Sequence, residues 1–177
     1  MADDDADLRR LAEAAAHGDD VALGELVRRT QPLVWRTCTL LGSSGEEEDL
    51  VQETYLRAMR SLRTYRGEAP VRGWLVAVAR NVCADHVRRR TRSARLLRRL
   101  HAEARDEAAP AREPGDLDDM LAALDPDRRE AFVVTQVLGL GYAEAAVALG
   151  CPVGTIRSRV SRARADLAAM VRAADAL

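Results

Sequence analysis

The chain has 177 residues, and its 27 basic residues, all of them arginine, nearly balance 28 acidic ones for a net charge of −1. Apolar residues make up 47% and aromatics only 3%, which favours close-packed, alanine-rich helices over a β-sandwich and suits one domain or two small ones. Near-neutrality weighs against a uniformly basic nucleic-acid binder, and no run of about 18 apolar residues offers a transmembrane helix.

The start of the chain, acidic from Asp3 to Asp7, lacks the basic and apolar regions of a signal peptide, so a cytoplasmic protein without membrane insertion is expected. Residues 7–16 have the composition of a short helix that ends near His17 and Gly18. Asp19 or Asp20 caps the next helix, which turns Val21, Leu23, Leu26 and Val27 inward and continues or restarts past Pro32 to Leu41. Gly42 to Gly45 form a turn with Ser43 and Ser44 as candidate caps, and a third helix follows from near Glu46 to about Leu62. Its early acids suit the positive end of the helix dipole. Gly67 and Pro70 make 65–70 a loop. A fourth helix runs from about Val71 to Arg90 or beyond, with Trp74, Leu75, Val78, Val82 and His86 or Val87 on roughly one face.

Residues 101–116 lack large apolar side chains and contain Pro110, Pro114 and Gly115, the composition of a flexible linker. Beyond it Leu117, Met120, Leu121 and Leu124 have helical spacing, and Asp125 with Pro126 caps a helix whose apolar body is 131–138. Gly139 and Gly141 break it; 142–149 is a short helix, 150–152 a tight turn, and 153 to about 171 a last helix. The fold expected is therefore all-α, two small helical domains at 1–97 and 117–177 with a linker at 98–116, the second containing a helix-turn-helix.

Charge is segregated along this plan. Residues 1–56 carry 5 arginines and 13 acids, and residues 57–99 carry 13 arginines and 2 acids. Residues 100–152 hold 4 arginines and 11 acids, and 153–177 hold 5 and 2. Screening limits exposed charge to a reach of about 8–10 Å, so a DNA backbone passing one basic block feels that block and not the average.

The last helix carries the strongest signal. Ile156, Val160, Ala163, Leu167 and Met170 form a core stripe, which leaves Arg157, Ser158, Ser161 and Arg162 outward near the helix start. A recognition helix presents its first turns to the major groove in this way; arginine donates twice to guanine, and serine serves several bases. Gly154 and Thr155 supply backbone and hydroxyl donors for phosphate. A solvated arginine face over a packed stripe is the blander alternative. In the fourth helix Arg80, Arg88, Arg89, Arg90, Arg92 and Arg95 make a basic edge near Asn81 and Asp85. In the third, Asp49, Gln52, Glu53 and Leu56 lie outward if Leu50, Tyr55 or Thr54, and Ala58 pack inward.

Residues 151–164, Cys-Pro-Val-Gly-Thr-Ile-Arg-Ser-Arg-Val-Ser-Arg-Ala-Arg, resemble the promoter-binding end of the extracytoplasmic-function (ECF) RNA polymerase sigma factors. Residues 48–58 resemble the same family's helix for docking on core RNA polymerase. Residues 65–68 followed by 73–81 resemble its promoter-melting and −10-reading segment. The resemblance implies a transcription initiation factor. Its polymerase-docking residues would be Asp49, Gln52, Glu53 and Leu56, and its −35 residues Gly154, Thr155, Arg157, Ser158, Ser161 and Arg162. The implied −10 residues are Tyr65, Arg66, Trp74, Arg80, Asn81, Arg88 and Arg89. Trp74 reads by spacing as a core anchor, and the resemblance places it near the upstream edge of the melted bubble. Tyr65 is the only aromatic of the melting loop, at its edge, which implies a narrow promoter preference. The partners implied are core RNA polymerase, promoter DNA and an anti-sigma factor of the kind common in the family. The rival is a stand-alone helix-turn-helix regulator binding duplex DNA as a dimer.

Nothing suggests an enzyme. His17, His86 and His101 are dispersed without metal-ligand spacing, there is no lysine for a phosphate loop, and the acids 46–49 read as a helix start, so neither cofactor nor metal is expected. Cys38, Cys83 and Cys151 are expected as buried free thiols.

Overall fold

The computed structural model describes residues 2–43, 45–65, 67, 69–100 and 117–174. Among these, every regular element is helical, as the apolar spacing predicts. The first half contains α1 (Ala2–Ala16), α2 (Asp20–Leu41), α3 (Glu47–Leu62) and α4 (Val71–Leu100). The second contains α5 (Leu117–Ala123), α6 (Pro126–Phe132), a π segment (Val133–Val137), α7 (Tyr142–Leu149) and α8 (Val153–Ala174). The expected linker at 98–116 thus starts inside α4, and 101–116 lie outside the described residues.

α1 begins at Ala2 rather than at 7. Aspartates favour a helix N-terminus, so what reads as an acidic tail is a helix start. Gly18, at φ +95°, ends it in the left-handed region open to glycine. Asp19 then caps α2, its side chain accepting from the Ala22 amide at 3.0 Å, and the helix runs unbroken past Pro32. Its buried residues are Ala22, Leu26, Thr30, Val34 and Cys38 at four-residue spacing, with Thr37 beside the last. Val21 is one position off that line and stands 84% exposed, contrary to the inward placement expected of it. Ser43 does not cap α3 either. Gly45 turns the chain at φ +86°, Glu46 becomes the N-cap without a side-chain bond, and the Glu47 carboxylate accepts from the Gly45 amide at 2.9 Å. Ser44 lies outside the described residues.

The first core joins Leu8 and Ala12 of α1 to Leu26 and Val34 of α2, Leu50, Tyr55 and Leu62 of α3, and Val71, Leu75 and Val82 of α4. Its buried threonines and Tyr55 are hydrogen-bonded. Thr30 and Tyr55 share a hydroxyl hydrogen bond of 2.9 Å, and Thr54 donates to the Leu50 carbonyl at 2.7 Å. Cys38 and Cys83 are buried, as expected, and their thiols share a hydrogen bond that, with burial, pushes the Cys83 pKa up. Cys151 is only partly buried, because the turn carrying it faces Arg159, which donates to its sulfur at 3.7 Å.

In the second half Asp125 accepts from the Asp127 and Arg128 amides at 3.1 and 3.3 Å, with Pro126 in the first turn. The α-helix expected through 138 instead widens into the π segment, which ends at Gly139 (φ +74°). Glu144 reaches back to accept from the Gly141 amide at 2.7 Å, and Gly150 closes α7 at φ +63°. The stripe of α8 packs as its spacing requires: Ile156, Val160 and Ala163 are buried, with Leu167 and Met170 against the same core.

The two halves meet along α4. Leu75 and Val82 face the first core, with Trp74 and Val78 packed beside it, whereas Val87 is exposed. Val76, outside the expected face, is fully buried in the second core, with Leu33, Leu40 and Leu41 of α2 packed on the same cluster. Arg80 Nε meets Glu130 at 2.7 Å, Arg72 donates to the Leu138 carbonyl at 3.4 Å, and Arg129 donates to the Leu40 carbonyl. Gly73 is buried opposite α7; a methyl group there would lie 3.7 Å from the Glu144 backbone oxygen and Cβ. The fold is therefore two helical units, each with its own core, closed on each other in this arrangement.

Candidate nucleic-acid interface

α8 sorts its polar side chains by role. Gly154, Arg157, Ser158, Ser161 and Arg162 are exposed and Thr155 is half-buried, all in the first turns, while Ile156, Val160 and Ala163 anchor the opposite side. Ser158 donates to the Thr155 carbonyl at 2.9 Å. Two further arginines of α8 are engaged within the domain. Arg159 pairs with Asp127, and Arg164 donates to Gln136 at 2.5 Å. Arg128 of α6 pairs with Asp166 at 2.7 Å. Among the described residues no ion pair or hydrogen bond holds the Arg157 or Arg162 side chain, so their guanidinium groups face solvent over a rigid helix, the condition for reading base edges.

On α3 the buried line is Leu50, Val51, Thr54, Tyr55, Ala58 and Leu62. Both Thr54 and Tyr55 pack inward, and Asp49, Gln52 and Leu56 face out. Met59, which the sequence reading passed over, is 39% exposed one turn from Leu56 at 41%, so the face carries two apolar contacts. The signal available was the three-residue spacing. Glu53 is half-buried; its carboxylate accepts from Arg57 Nε at 2.7 Å, which lowers its pKa.

The −10 candidates are spread over the loop and α4. Tyr65 and Trp74 pack with ring centroids 4.9 Å apart and planes at 36°, and the Tyr65 hydroxyl donates to the Ala69 carbonyl. Burial raises the Tyr65 pKa. Trp74 thus occupies the core-anchor position that its spacing predicts. Arg9 of α1 donates to the Gly67 carbonyl at 2.6 Å, tying the loop to the first helix. Arg66 lies outside the described residues. Asn81, Arg88, Arg89, Arg90 and Arg92 are exposed along α4, and the side chain of Arg95 is outside the described residues. Arg80 is turned toward Glu130 through Nε, while its Nη1 donates to Asn81 Oδ1 at 3.4 Å.

A second cluster crosses from α3 to α4. Arg57 Nη1 donates to Asp85 Oδ2 at 2.7 Å, and Arg88 Nη2 donates to Asp85 Oδ1 at 2.6 Å. These two guanidinium groups hold the Asp85 carboxyl down to about 2. The sequence reading named Asp85 only as a neighbour of the basic edge and did not assign Arg57, since partners 28 positions apart share no local pattern. Among the described residues, no group of His, Cys, Asp and Glu side chains is placed to hold a metal, and no helix is long and apolar enough to cross a membrane.

Residues 26–93 match the family described as Sigma-70 region 2, and residues 115–167 match Sigma-70, region 4. The ECF RNA polymerase sigma factor SigC of Mycobacterium tuberculosis is 44% identical over 172 residues, covering 95% of this chain and 93% of the relative. The ECF sigma factor SigE of Mycolicibacterium smegmatis is 36% identical over 86% of this chain and 63% of its own. Among solved structures, CnrH in complex with the cytosolic domain of CnrY aligns at a TM-score of 0.74 with 31% identity, covering 94% of this chain and 98% of that one. The sigma factor RpoE bound to the anti-sigma factor NepR, from Bartonella quintana, aligns at 0.63 with 28% identity, covering 84% and 95%. With both halves matched in order and nearly the full length of SigC aligned, the chain belongs to the ECF family of RNA polymerase sigma factors.

Proposed function

We propose that this sigma factor docks on core RNA polymerase through Asp49, Gln52, Glu53, Leu56 and Met59 of α3. It reads the −35 element through Gly154, Thr155, Arg157, Ser158, Ser161 and Arg162 of α8, and engages the −10 element through the 65–70 loop, Arg80, Asn81, Arg88 and Arg89. The units responsible are 1–97 and 117–177. The polymerase carries the chemistry and this chain, acting in the cytoplasm without a cofactor, supplies promoter choice. The observation that carries the reading is the exposed Arg157, Ser158, Ser161 and Arg162 face over the buried Ile156, Val160 and Ala163. Trp74 supports the loop from within and is not offered as a base contact, because it is packed on Tyr65.

Neither DNA-binding unit needs high affinity alone, since a shared polymerase scaffold raises the effective concentration of the second contact. In the closed arrangement Arg80 is held by Glu130, so its use on DNA requires that pair to open. An anti-sigma factor that clamps both units is the partner suggested by the likeness to the RpoE–NepR complex. Run-off transcription with purified core polymerase and a promoter library tests the whole reading. Transcripts that depend on the added protein are expected. Binding to palindromic duplex without any dependent transcript would replace it with a stand-alone regulator.

A further inference from the structure

The docking helix and the basic edge of α4 border an open surface hollow of about 310 Å³ lined by Arg57, Asp85, Arg88, Arg89 and Arg92. Four guanidinium groups and one carboxylate share this wall. Asp85 is bonded through one oxygen to Arg57 at 2.7 Å and through the other to Arg88 at 2.6 Å. A carboxylate in this position orients two guanidinium groups that belong to different helices. Arg57 is fixed a second time by Glu53 at 2.7 Å, so its remaining donors are directed rather than swept over many rotamers. One acid leaves the hollow with an excess of positive charge, and the chemistry that guanidinium groups recognise with several donors at once is a phosphate.

We propose that this hollow is a phosphodiester site on the promoter backbone, with Arg57 and Arg92 as ligands of one phosphate and Asp85 as the positioning residue. It rests on the reading of α4 as a DNA edge and adds to it a contribution from α3. The helix that meets the polymerase also meets DNA, and the Glu53–Arg57–Asp85–Arg88 chain of ion pairs connects the two contacts.

The test measures promoter affinity of the reconstituted holoenzyme against salt concentration, at saturating core polymerase so that docking defects are read separately. Each phosphate neutralised contributes about 0.9 to the slope of log affinity against log salt. Arg57→Gln is expected to flatten the slope by about that amount, and Arg57→Lys, which keeps a point charge, to restore most of it. Arg92→Gln, an exposed side chain, is expected to give the same loss without touching the α3–α4 contact. The double variant is expected to lose the equivalent of one phosphate. A loss equivalent to two would mean separate contacts and would overturn the shared site, as would an unaltered slope in Arg57→Gln. If Arg89→Gln flattens the slope and Arg57→Gln does not, this proposal alone fails. If neither does, the reading of the α4 edge fails with it.

Discussion

The two halves of this molecule solve the same packing problem with different resources. The first half closes its core with α1–α4, and its buried residues come from all four helices. The second half has one long helix and several short ones, and its core includes Val76 from the opposite half. Its helices α5 and α6 span seven residues each and α7 spans eight. Isolated helices of that length are marginal in water, so their order depends on what they pack against. The unit proposed to read the −35 element is thus the more dependent of the two, and part of its support comes from α4, the helix proposed for the −10 element.

The strongest test of that asymmetry is Ile156→Ala in α8. Emptying this fully buried site should cost about 2–5 kcal/mol, seen by denaturant unfolding and by faster amide exchange in the second half. Equal acceleration in α1–α3 would show a single cooperative unit and abolish the distinction. Arg162→Ala should lose about 1–3 kcal/mol of −35 discrimination in competition binding with holoenzyme. A uniform loss over all sequences would demote it to a phosphate contact. Val76→Ala removes methyl groups from a fully buried position in α4, and about 1.5 kcal/mol is expected. Its mark should be faster exchange in α6 and α7, although the substitution lies in the other half.

Glu130→Gln removes the partner of Arg80 across the junction. Both side chains are partly exposed, so only about 0.2–1 kcal/mol is at stake. The expected result is tighter binding of the free protein to a −10 oligonucleotide, by less than about an order of magnitude. The smallest effect is one of protonation. Asp85, held near 2, stays ionised well below the ordinary aspartate range. The stabilisation it gives is present above its unfolded-state pKa and is lost as pH falls through its folded value, a window from about 4 down to about 2. Carboxyl NMR titration should place Asp85 at the bottom of that window in the native chain and return it toward the usual value in Arg57→Gln.

Periodic features were legible in the sequence, and relational ones were not. The stripe from Ile156 to Met170 follows from spacing alone, and with it the outward face of α8. The cap at Asp125 and the breaks at Gly18 and Gly150 follow from residue chemistry at single positions. Val76 escaped because its burial comes from the second half and not from α4 itself. Arg80 escaped for the same reason, its partner Glu130 lying 50 positions away. The π segment has no marker in its side chains, since Val133–Val137 would suit an ordinary helix equally well. Val21 misled because apolar character next to a cap was read as burial, whereas the four-residue line through Ala22 passes it by.

Gly73 lies in α4 at its contact with α7. Its missing side chain acts as a spacer of zero thickness. A methyl group fits at ordinary contact distance, so Gly73→Ala leaves the closed arrangement intact. A branched side chain adds atoms beyond that contact and crowds the junction with Glu144. One position could therefore tune the ratio of closed to open molecules without altering any residue that touches DNA or polymerase, because destabilising one of two states shifts their populations by that difference alone. Closed-chain abundance would then be heritable independently of promoter preference, and two relatives with identical reading faces could differ in how readily they start transcription.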